Sequence, residues 1–252
     1  MGDPNGIGPE ILAKALSAHA LGTYCRPVVF GDKTVLEQAG EGRPGMPPCH
    51  AISDLNEMDT DNGVIPVFQA GCASPPLRPG TIDPETSHCA AVWIESAARL
   101  ALAGRLQALV TCPVSKEGLL RSGCPHAGHT PMLQAITGVE QCHMSLFHER
   151  LRIVHITAHL SMRDAVAAVR KDRILHAIEA GYHTLRRLGF AAPRLAVSGL
   201  NPHAGENGAF GREEIEEIAP AAVLARSRGI DCAGPFAPDT VFNRMCGGEF
   251  DL

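Results

Sequence analysis

Two histidines follow apolar segments of the chain in settings that suit a metal site. His159 comes just after the apolar run 151–157, and His203 stands in the polar turn 199–206. Neutral imidazole is the commonest nitrogen ligand of divalent metals, and the end of a strand directs a side chain into a cleft. The sequence therefore predicts a metal held by His159 and His203 beside a small acidic substrate.

The first ten residues form a glycine-rich turn before a helix. Gly2, Gly6 and Gly8 permit a tight backbone turn, and Pro9 suits the first turn of the helix that follows. The N–H groups at a helix start attract anions, which favours a bound ligand, although a simple turn is the alternative. Such a turn ordinarily follows a buried strand, so we expect a missing strand in front of it.

Two further polar residues suit binding or proton transfer. Lys116 follows the predicted strand 108–111, where its ammonium would reach a phosphate or carboxylate, although a solvated lysine fits equally well. Asp239 in the segment 238–240 would orient a ligand histidine or accept a proton, and capping a loop is its alternative.

The hydropathy pattern alternates between strand and helix. Strands are predicted over 27–32, 63–68, 108–111, 151–157 and 195–200, and helices over 11–21, 86–104, 162–169, 171–188 and 212–227. The proline- and glycine-rich stretch 41–62 is predicted as surface loop. This alternation indicates an α/β protein with a mainly parallel sheet whose ligands gather at the carboxyl ends of the strands.

Composition excludes several classes of protein. The chain has 252 residues, 45% hydrophobic and 19% charged, which is typical of a folded protein, and we expect two lobes, 1–125 and 126–252. Its net charge of −5 and scattered basic residues disfavour nucleic-acid binding. No apolar run is long enough for a membrane span, and a signal segment is missing, so a cytoplasmic location is the default.

Nine cysteines are spread along the chain without any Cys-x-x-Cys pair. That spacing argues against a zinc or redox motif. Most of the cysteines are therefore expected to be buried, reduced thiols.

A family resemblance begins at the first turn. Its run Gly-Asp-Pro-x-Gly-Ile-Gly-Pro-Glu resembles the opening signature of the 4-hydroxythreonine-4-phosphate dehydrogenase family, and it is similar to that of isocitrate and isopropylmalate dehydrogenases. Further segments in the family's order are 111–116, 128–130, 157–159, 199–206 and 238–240. The resemblance implies a two-lobed isocitrate/isopropylmalate-dehydrogenase-like fold with an inter-lobe active-site cleft. Segments 161–165 and 208–218 look closest to the 4-phospho-D-threonate/4-phospho-D-erythronate branch.

The resemblance also implies roles for individual residues. His159 and His203 would be metal ligands, with a third histidine expected in a missing C-terminal segment, and the metal would be Zn, Mg or Co. His129 and Thr130 would contact the substrate, and Lys116 and Asp239 would be catalytic. The turn residues Gly2, Asp3, Gly6 and Gly8 would belong to the cleft for NAD, with NADP as the alternative. A homodimer with a shared active site is expected.

The implied reaction is oxidation and decarboxylation of a small phosphorylated hydroxy acid. Hydride would pass from a secondary alcohol to NAD, and carbon dioxide would then leave from the β-keto acid. The substrate is either 4-phosphohydroxy-L-threonine, in pyridoxine biosynthesis, or a phosphorylated four-carbon sugar acid. A metal-dependent hydrolase or lyase and a non-catalytic ligand-binding relative are the alternatives.

Overall fold

Helices and strands alternate along the chain, and the strand pairings are mostly parallel. A computed structural model describes residues 1–18, 21–58 and 63–252. In it the chain divides into two compact units, Met1–Gln141 and Cys142–Leu252, so the division falls later than the expected boundary after residue 125. The predicted α/β class is confirmed.

The first unit is built on a three-stranded parallel sheet. Its strands are β1 (Val29–Phe30), β2 (Cys49–Ile52) and β3 (Ile65–Phe68), in the order β1-β3-β2. Its helices are α1 (Gly8–Ser17), α2 (Leu21–Tyr24), α3 (Lys33–Gly40), α4 (Pro84–Leu102), α5 (Lys116–Arg121) and α6 (His129–Thr137), with a 3₁₀ turn at Leu55–Glu57.

Strand alternation gives this sheet two buried faces. Val29 and Val67 pack with α1 and α3, whereas Phe30 and Ile52 point the other way, toward Trp93 of α4. Trp93 is 1% exposed, and its indole N–H donates to the Cys72 carbonyl at 3.1 Å. A sheet covered on both faces explains why its strands read as short apolar runs.

The second unit contains a hairpin and a parallel strand pair. The hairpin joins β4 (Ser145–His148) to β5 (Leu151–Val154), and β6 (Leu195–Ser198) pairs in parallel with β7 (Cys232–Phe236). The helices are α7 (Met162–Ala167), α8 (Lys171–Arg187), α9 (Ala219–Ser227) and α10 (Pro238–Cys246), with a π-helix at Glu214–Ile218 before α9. Leu185, Leu195 and Ile218 lie in its buried core.

Several predicted elements are corrected by the structure. The strand expected over 108–111 does not form, because the segment finds no partner strand among the described residues and Val110 is 91% exposed. The stretch 41–62 is not all loop, since it contains β2; its residues 59–62 lie outside the described residues. The helix expected over 11–21 ends at Ser17, and residues 19 and 20 also lie outside the described part.

The cysteines differ from expectation. Cys72 and Cys89 form a disulfide, with 5.4 Å between their Cα atoms, because the loop after β3 folds back onto α4. Of the remaining thiols, those of Cys25, Cys142 and Cys246 are exposed, so the expectation of mostly buried thiols was wrong. No described helix is long and apolar enough to cross a membrane.

Candidate functional site

The glycine-rich turn of the first unit is held by buried polar side chains. The Asp3 carboxylate accepts hydrogen bonds from the Asn5 backbone N–H at 3.0 Å and from the Ser87 hydroxyl at 3.2 Å. The Asn5 side chain accepts from the Arg78 N–H at 2.7 Å, and its amide lies 3.4 Å from the Thr86 hydroxyl. Asp3 therefore stabilises the turn itself, and its role toward a cofactor stays a prediction.

Close packing explains the glycines at two positions of this turn. A Cβ on Gly2, where φ is +76°, would lie 2.4 Å from the Pro113 carbonyl oxygen. A Cβ on Gly8 would lie 2.2 Å from the Met1 carbonyl oxygen. Of the three glycines predicted to line the cofactor site, Gly2 and Gly8 are buried and Gly6 is exposed.

Lys116 and the His129-Thr130 pair come together within the first unit. Lys116 is exposed and opens α5, after Ser115 caps that helix by accepting the Gly118 N–H. The Lys116 Cε lies 3.8 Å from where a Cβ on Gly128 would stand, and Gly128 precedes His129 at the start of α6. The Lys116 side chain thus lies beside Gly128, the residue before His129, although Lys116 follows no strand.

His129 has an unused ring nitrogen. Its Nε2 is buried and has no hydrogen-bond partner within residues 1–18, 21–58 and 63–252. Burial lowers the pKa of His129, and a hydrogen bond with the Cys112 backbone opposes this only in part. A neutral imidazole with a free nitrogen is suited to bind a polar group of a ligand.

The second unit brings the His159 and His203 loops to one cavity. This cavity, of about 240 Å³, is lined by Thr157 beyond β5 and by Ser198, Gly199 and Leu200 at the end of β6. His159 follows two residues after Thr157, and His203 follows three residues after Leu200; both side chains are exposed. Neither imidazole is among the residues that line this cavity, so a shared metal site for His159 and His203 stays a prediction.

The backbone around both histidines is unusual. His159 has φ +58° and His203 has φ +52°, and the left-handed conformation continues from His203 through Asn207. A non-glycine residue in this region costs about 1–2 kcal/mol, so the surrounding structure must fix the turn. The polar turn was predicted over 199–206, but its left-handed backbone was not, because only residue 205 within 203–207 is a glycine.

Asp239 occupies the first turn of α10. It is exposed, and α10 packs against the turn that carries His203. The N-cap of α10 is Ala237, which gives the helix no side-chain cap, and the choice between the two expected roles of Asp239 stays open.

The metal prediction can be tested against the donors present. Among residues 1–18, 21–58 and 63–252, no three His, Cys, Asp or Glu side chains converge on one point. Catalytic zinc normally takes three protein ligands. The two exposed imidazoles fit two of those ligands in chemistry, and no group of three donors is found in the described part of the chain.

Two residues that sequence analysis did not single out organise these sites. Asn5 ties the glycine-rich turn to the loop before α4, and Glu214, 3% exposed, contacts the turn that carries His203. Glu214 lies in the charged run 212–217, which reads as a solvated helix face. A cavity of about 460 Å³ in the first unit, lined by the Cys72–Cys89 disulfide and His88, includes none of the predicted site residues.

Comparison with known proteins identifies relatives along the whole chain. The D-threonate 4-phosphate dehydrogenase of Cupriavidus necator is 39% identical, covering 100% of this chain and 76% of the relative. The 4-hydroxythreonine-4-phosphate dehydrogenase of Desulfosudis oleivorans is 42% identical, covering 100% of this chain and 75% of the relative. The crystal structure of the Klebsiella pneumoniae 4-hydroxythreonine-4-phosphate dehydrogenase matches with a TM-score of 0.91 at 38% identity, covering 100% of this chain and 78% of that one.

The family assignment follows from these matches. Residues 23–252 match the family described as pyridoxal phosphate biosynthetic protein PdxA. This confirms the resemblance that the glycine-rich turn and the two histidine segments indicate. The chain belongs to the PdxA family of pyridoxal phosphate biosynthetic proteins.

Proposed function

We propose that this chain is an NAD-dependent, metal-assisted dehydrogenase that oxidises and decarboxylates a 4-phosphorylated β-hydroxy acid. The relatives named above are dehydrogenases of phosphorylated hydroxy acids, which supports the reaction class. The observation that supports the proposal is that Thr157 and Leu200, two and three residues before His159 and His203, line one cavity in the second unit.

His159 and His203 would hold the divalent metal, which is Zn, Mg or Co in this proposal. A bound divalent cation supplies positive charge that lowers the pKa of a hydroxyl group and stabilises negative charge on oxygen. Both imidazoles are exposed and therefore accessible to such an ion. Asp239, in the first turn of α10, would accept a proton or orient a ligand histidine.

In the first unit, Lys116, His129 and Thr130 would bind the substrate. The exposed Lys116 ammonium would neutralise a phosphate or carboxylate as a point charge. The neutral His129 Nε2, buried and unpartnered among the described residues, would hydrogen-bond an oxygen of the substrate, beside the Thr130 hydroxyl.

NAD supplies the hydride acceptor when bound, and NADP is the alternative. The turn containing Gly2, Asp3, Gly6 and Gly8 is proposed to line the cofactor site. In this turn the backbone of Gly6 is exposed and accessible to the cofactor. The buried Asp3 carboxylate stabilises the turn by accepting the Asn5 N–H. A homodimer with a shared active site is part of the same proposal.

The substrate is either 4-phosphohydroxy-L-threonine, for pyridoxal phosphate synthesis, or 4-phospho-D-threonate or 4-phospho-D-erythronate. Relatives of both names cover this chain at similar identity, so the choice needs measurement. We propose assaying NADH formation with each substrate in parallel.

The decisive variants are His203→Ala and His159→Ala. Each should lower kcat by more than about 100-fold, because removing a ligand disables the metal. The exposed histidine His183 of α8 provides the matched control, and His183→Ala should keep wild-type turnover. Full turnover in His203→Ala would reject the metal role.

A second candidate is a non-catalytic ligand-binding protein. The observation that favours it is the absence of three converging donors within the described residues. Binding of the phosphorylated substrates in calorimetry without any NADH formation would support this candidate over the dehydrogenase.

A further inference from the structure

The turn that carries His203 is wrapped around a buried carboxylate. One oxygen of Glu214, Oε1, accepts the backbone N–H groups of Leu200 at 2.8 Å and Asn201 at 2.7 Å. The other oxygen, Oε2, accepts the Asn201 side-chain amide at 2.9 Å. These donors lie directly before Pro202 and His203 in the chain, so Glu214 fixes the start of the turn.

Glycines on both sides make room for this carboxylate. A Cβ on Gly199 would lie 3.2 Å from Glu214 Oε1, and a Cβ on Gly205 would lie 2.8 Å from Glu214 Oε2. Gly199 precedes the turn and Gly205 lies inside it, in a left-handed conformation with φ +77°. The chain thus passes close to the carboxylate both before and after His203, and at residue 205 a side chain would have to displace it.

Glu214 is the first residue of the π-helix. The segment Glu214–Ile218 forms a wider helix than α9, and such π-helical turns are rare and often occur at functional sites. Glu213, just before it, accepts the second N–H of the Asn201 amide at 2.7 Å. Two adjacent glutamates therefore bind one asparagine, which an ordinary solvated helix face would not provide.

The carboxylate is suited to remain ionised. Burial raises the pKa of Glu214, but hydrogen bonds from Asn201 and Leu200 outweigh it, and the net pKa lies below the ordinary value. An ionised carboxylate offers acceptors only, which matches the three N–H donors around it.

We propose that Glu214 is a positioning residue for His203: its carboxylate holds the left-handed turn 203–207 so that the imidazole is presented in one orientation. This inference rests on the proposed metal role of His203 for its functional meaning. The orientation of His203 is itself measurable without metal. Partners behind a ligand that fix its ring typically change metal affinity by about 10- to 100-fold when removed.

The test compares Glu214→Gln with Glu216→Gln in the full chain. Glutamine keeps the shape of Glu214, but one of the two accepting oxygens becomes a donating N–H₂ group. This group would face either the Asn201 amide or the two backbone N–H groups, so at least one hydrogen bond is lost. Glu216 is exposed and pairs with Arg212, so Glu216→Gln removes the same charge nearby without touching the turn. Thermal melts by circular dichroism establish that each variant is folded at the temperature used.

The first readout is NMR of metal-free protein with labelled histidines. His203 and His159 signals are assigned by comparison with His203→Ala and His159→Ala. Glu214→Gln should shift or broaden the His203 signal and leave the His159 signal unchanged, whereas Glu216→Gln should leave both unchanged. A general loosening of the second unit would move both histidines together, and that result would overturn the inference.

The second readout is Co²⁺ binding by titration calorimetry, which should weaken about 10- to 100-fold in Glu214→Gln only. If wild-type protein fails to bind Co²⁺, the metal proposal fails, and the NMR comparison still decides the positioning role. If Glu214→Gln does not fold, Glu214→Asp tests the same contact, since it keeps the charge but withdraws the carboxylate from the N–H groups of Leu200 and Asn201. A His203 signal identical to wild type in the folded variant refutes the positioning role.

Discussion

Reduction of the Cys72–Cys89 disulfide should destabilise the first unit measurably. The bond ties the loop after β3 to α4 across a sequence separation of 17 residues. Closing a loop of this length in the unfolded chain corresponds to about 3 kcal/mol of stabilisation. For a unit of this size, that free energy corresponds to a fall in Tm of roughly 10 °C.

Other contacts of the same loop should keep the reduced protein folded. The Ser74 N–H donates to Asp32 at 2.9 Å, and the Arg78 N–H donates to Asn5 at 2.7 Å. Trp93 donates to the Cys72 carbonyl, and this hydrogen bond does not involve the sulfur atoms. We therefore expect a lower Tm with native structure retained at room temperature.

The assay uses the single tryptophan of the chain. Trp93 lies in the first unit beside Cys89, so its fluorescence reports the melting of that unit. Melts are recorded with and without a phosphine reductant, and mass spectrometry after thiol labelling should show seven labelled cysteines before reduction. The variant Cys72→Ala should melt like reduced wild type under both conditions.

Two results would refute this reasoning. An unchanged Tm in the reduced wild-type protein would show that the disulfide does not lower the conformational entropy of the unfolded chain enough to stabilise the fold. A Cys72→Ala variant that still responds to the reductant would assign the effect to another thiol.

Three further predictions concern packing and charge. Gly8→Ala should lower the free energy of unfolding by about 1–3 kcal/mol, because its Cβ would lie 2.2 Å from the Met1 carbonyl oxygen. The measurement is urea unfolding followed by Trp93 fluorescence, and the control Gly22→Ala, with open space around it, should leave this free energy unchanged. Leu185→Ala, at a fully buried site, should cost about 2–5 kcal/mol in urea unfolding followed by circular dichroism, and a loss near zero would contradict the assigned core. Burial raises the pKa of Asp251, but hydrogen bonds from Arg194 outweigh burial, and the net pKa is lowered. The ionised Asp251 therefore stabilises the folded protein above about pH 4, and this stabilisation is lost as the pH falls through the pKa of Asp251 in the folded state. Asp251→Asn should therefore destabilise the protein near pH 7 more than near pH 3, and equal losses at both would reject this coupling.

The elements with strong periodicity were predictable from sequence. The helix predicted over 86–104 is α4, Pro84–Leu102, because its apolar residues recur on one face and Asp83 caps its start. β3 and β6 were predicted for a similar reason, since each is an apolar run bounded by turn residues. Local patterns therefore located the framework that carries the candidate residues.

Other features depend on contacts that no local pattern records. The run 108–111 is apolar enough for a strand, but a strand needs a partner, and none lies beside it in the described part of the chain. β7 was missed because Gly234 and Pro235 interrupt its pattern. The Cys72–Cys89 disulfide joins residues that the fold, and not a spacing motif, brings together.

The residues of the candidate site also fall into two groups, those that the sequence indicates and those that only the fold reveals. His159, His203 and Lys116 were found from residue type and family resemblance, whereas Glu214 and Asn5 were not. Both have polar side chains that the fold buries, and their importance comes from the backbone groups that they bind. A charged run such as 212–217 gives no local sign of which glutamate turns inward.

The reversed handedness of the segment 203–207 has a consequence for chemical synthesis. Four of its five residues carry side chains in a geometry natural to mirror-image amino acids. A D-residue introduced by peptide ligation at the exposed Glu206 should fit this backbone with less strain than the L-residue. A β-branched L-residue at the same position should increase the strain. At the exposed position 206, substitution tolerance should therefore depend on backbone handedness as well as on side-chain chemistry.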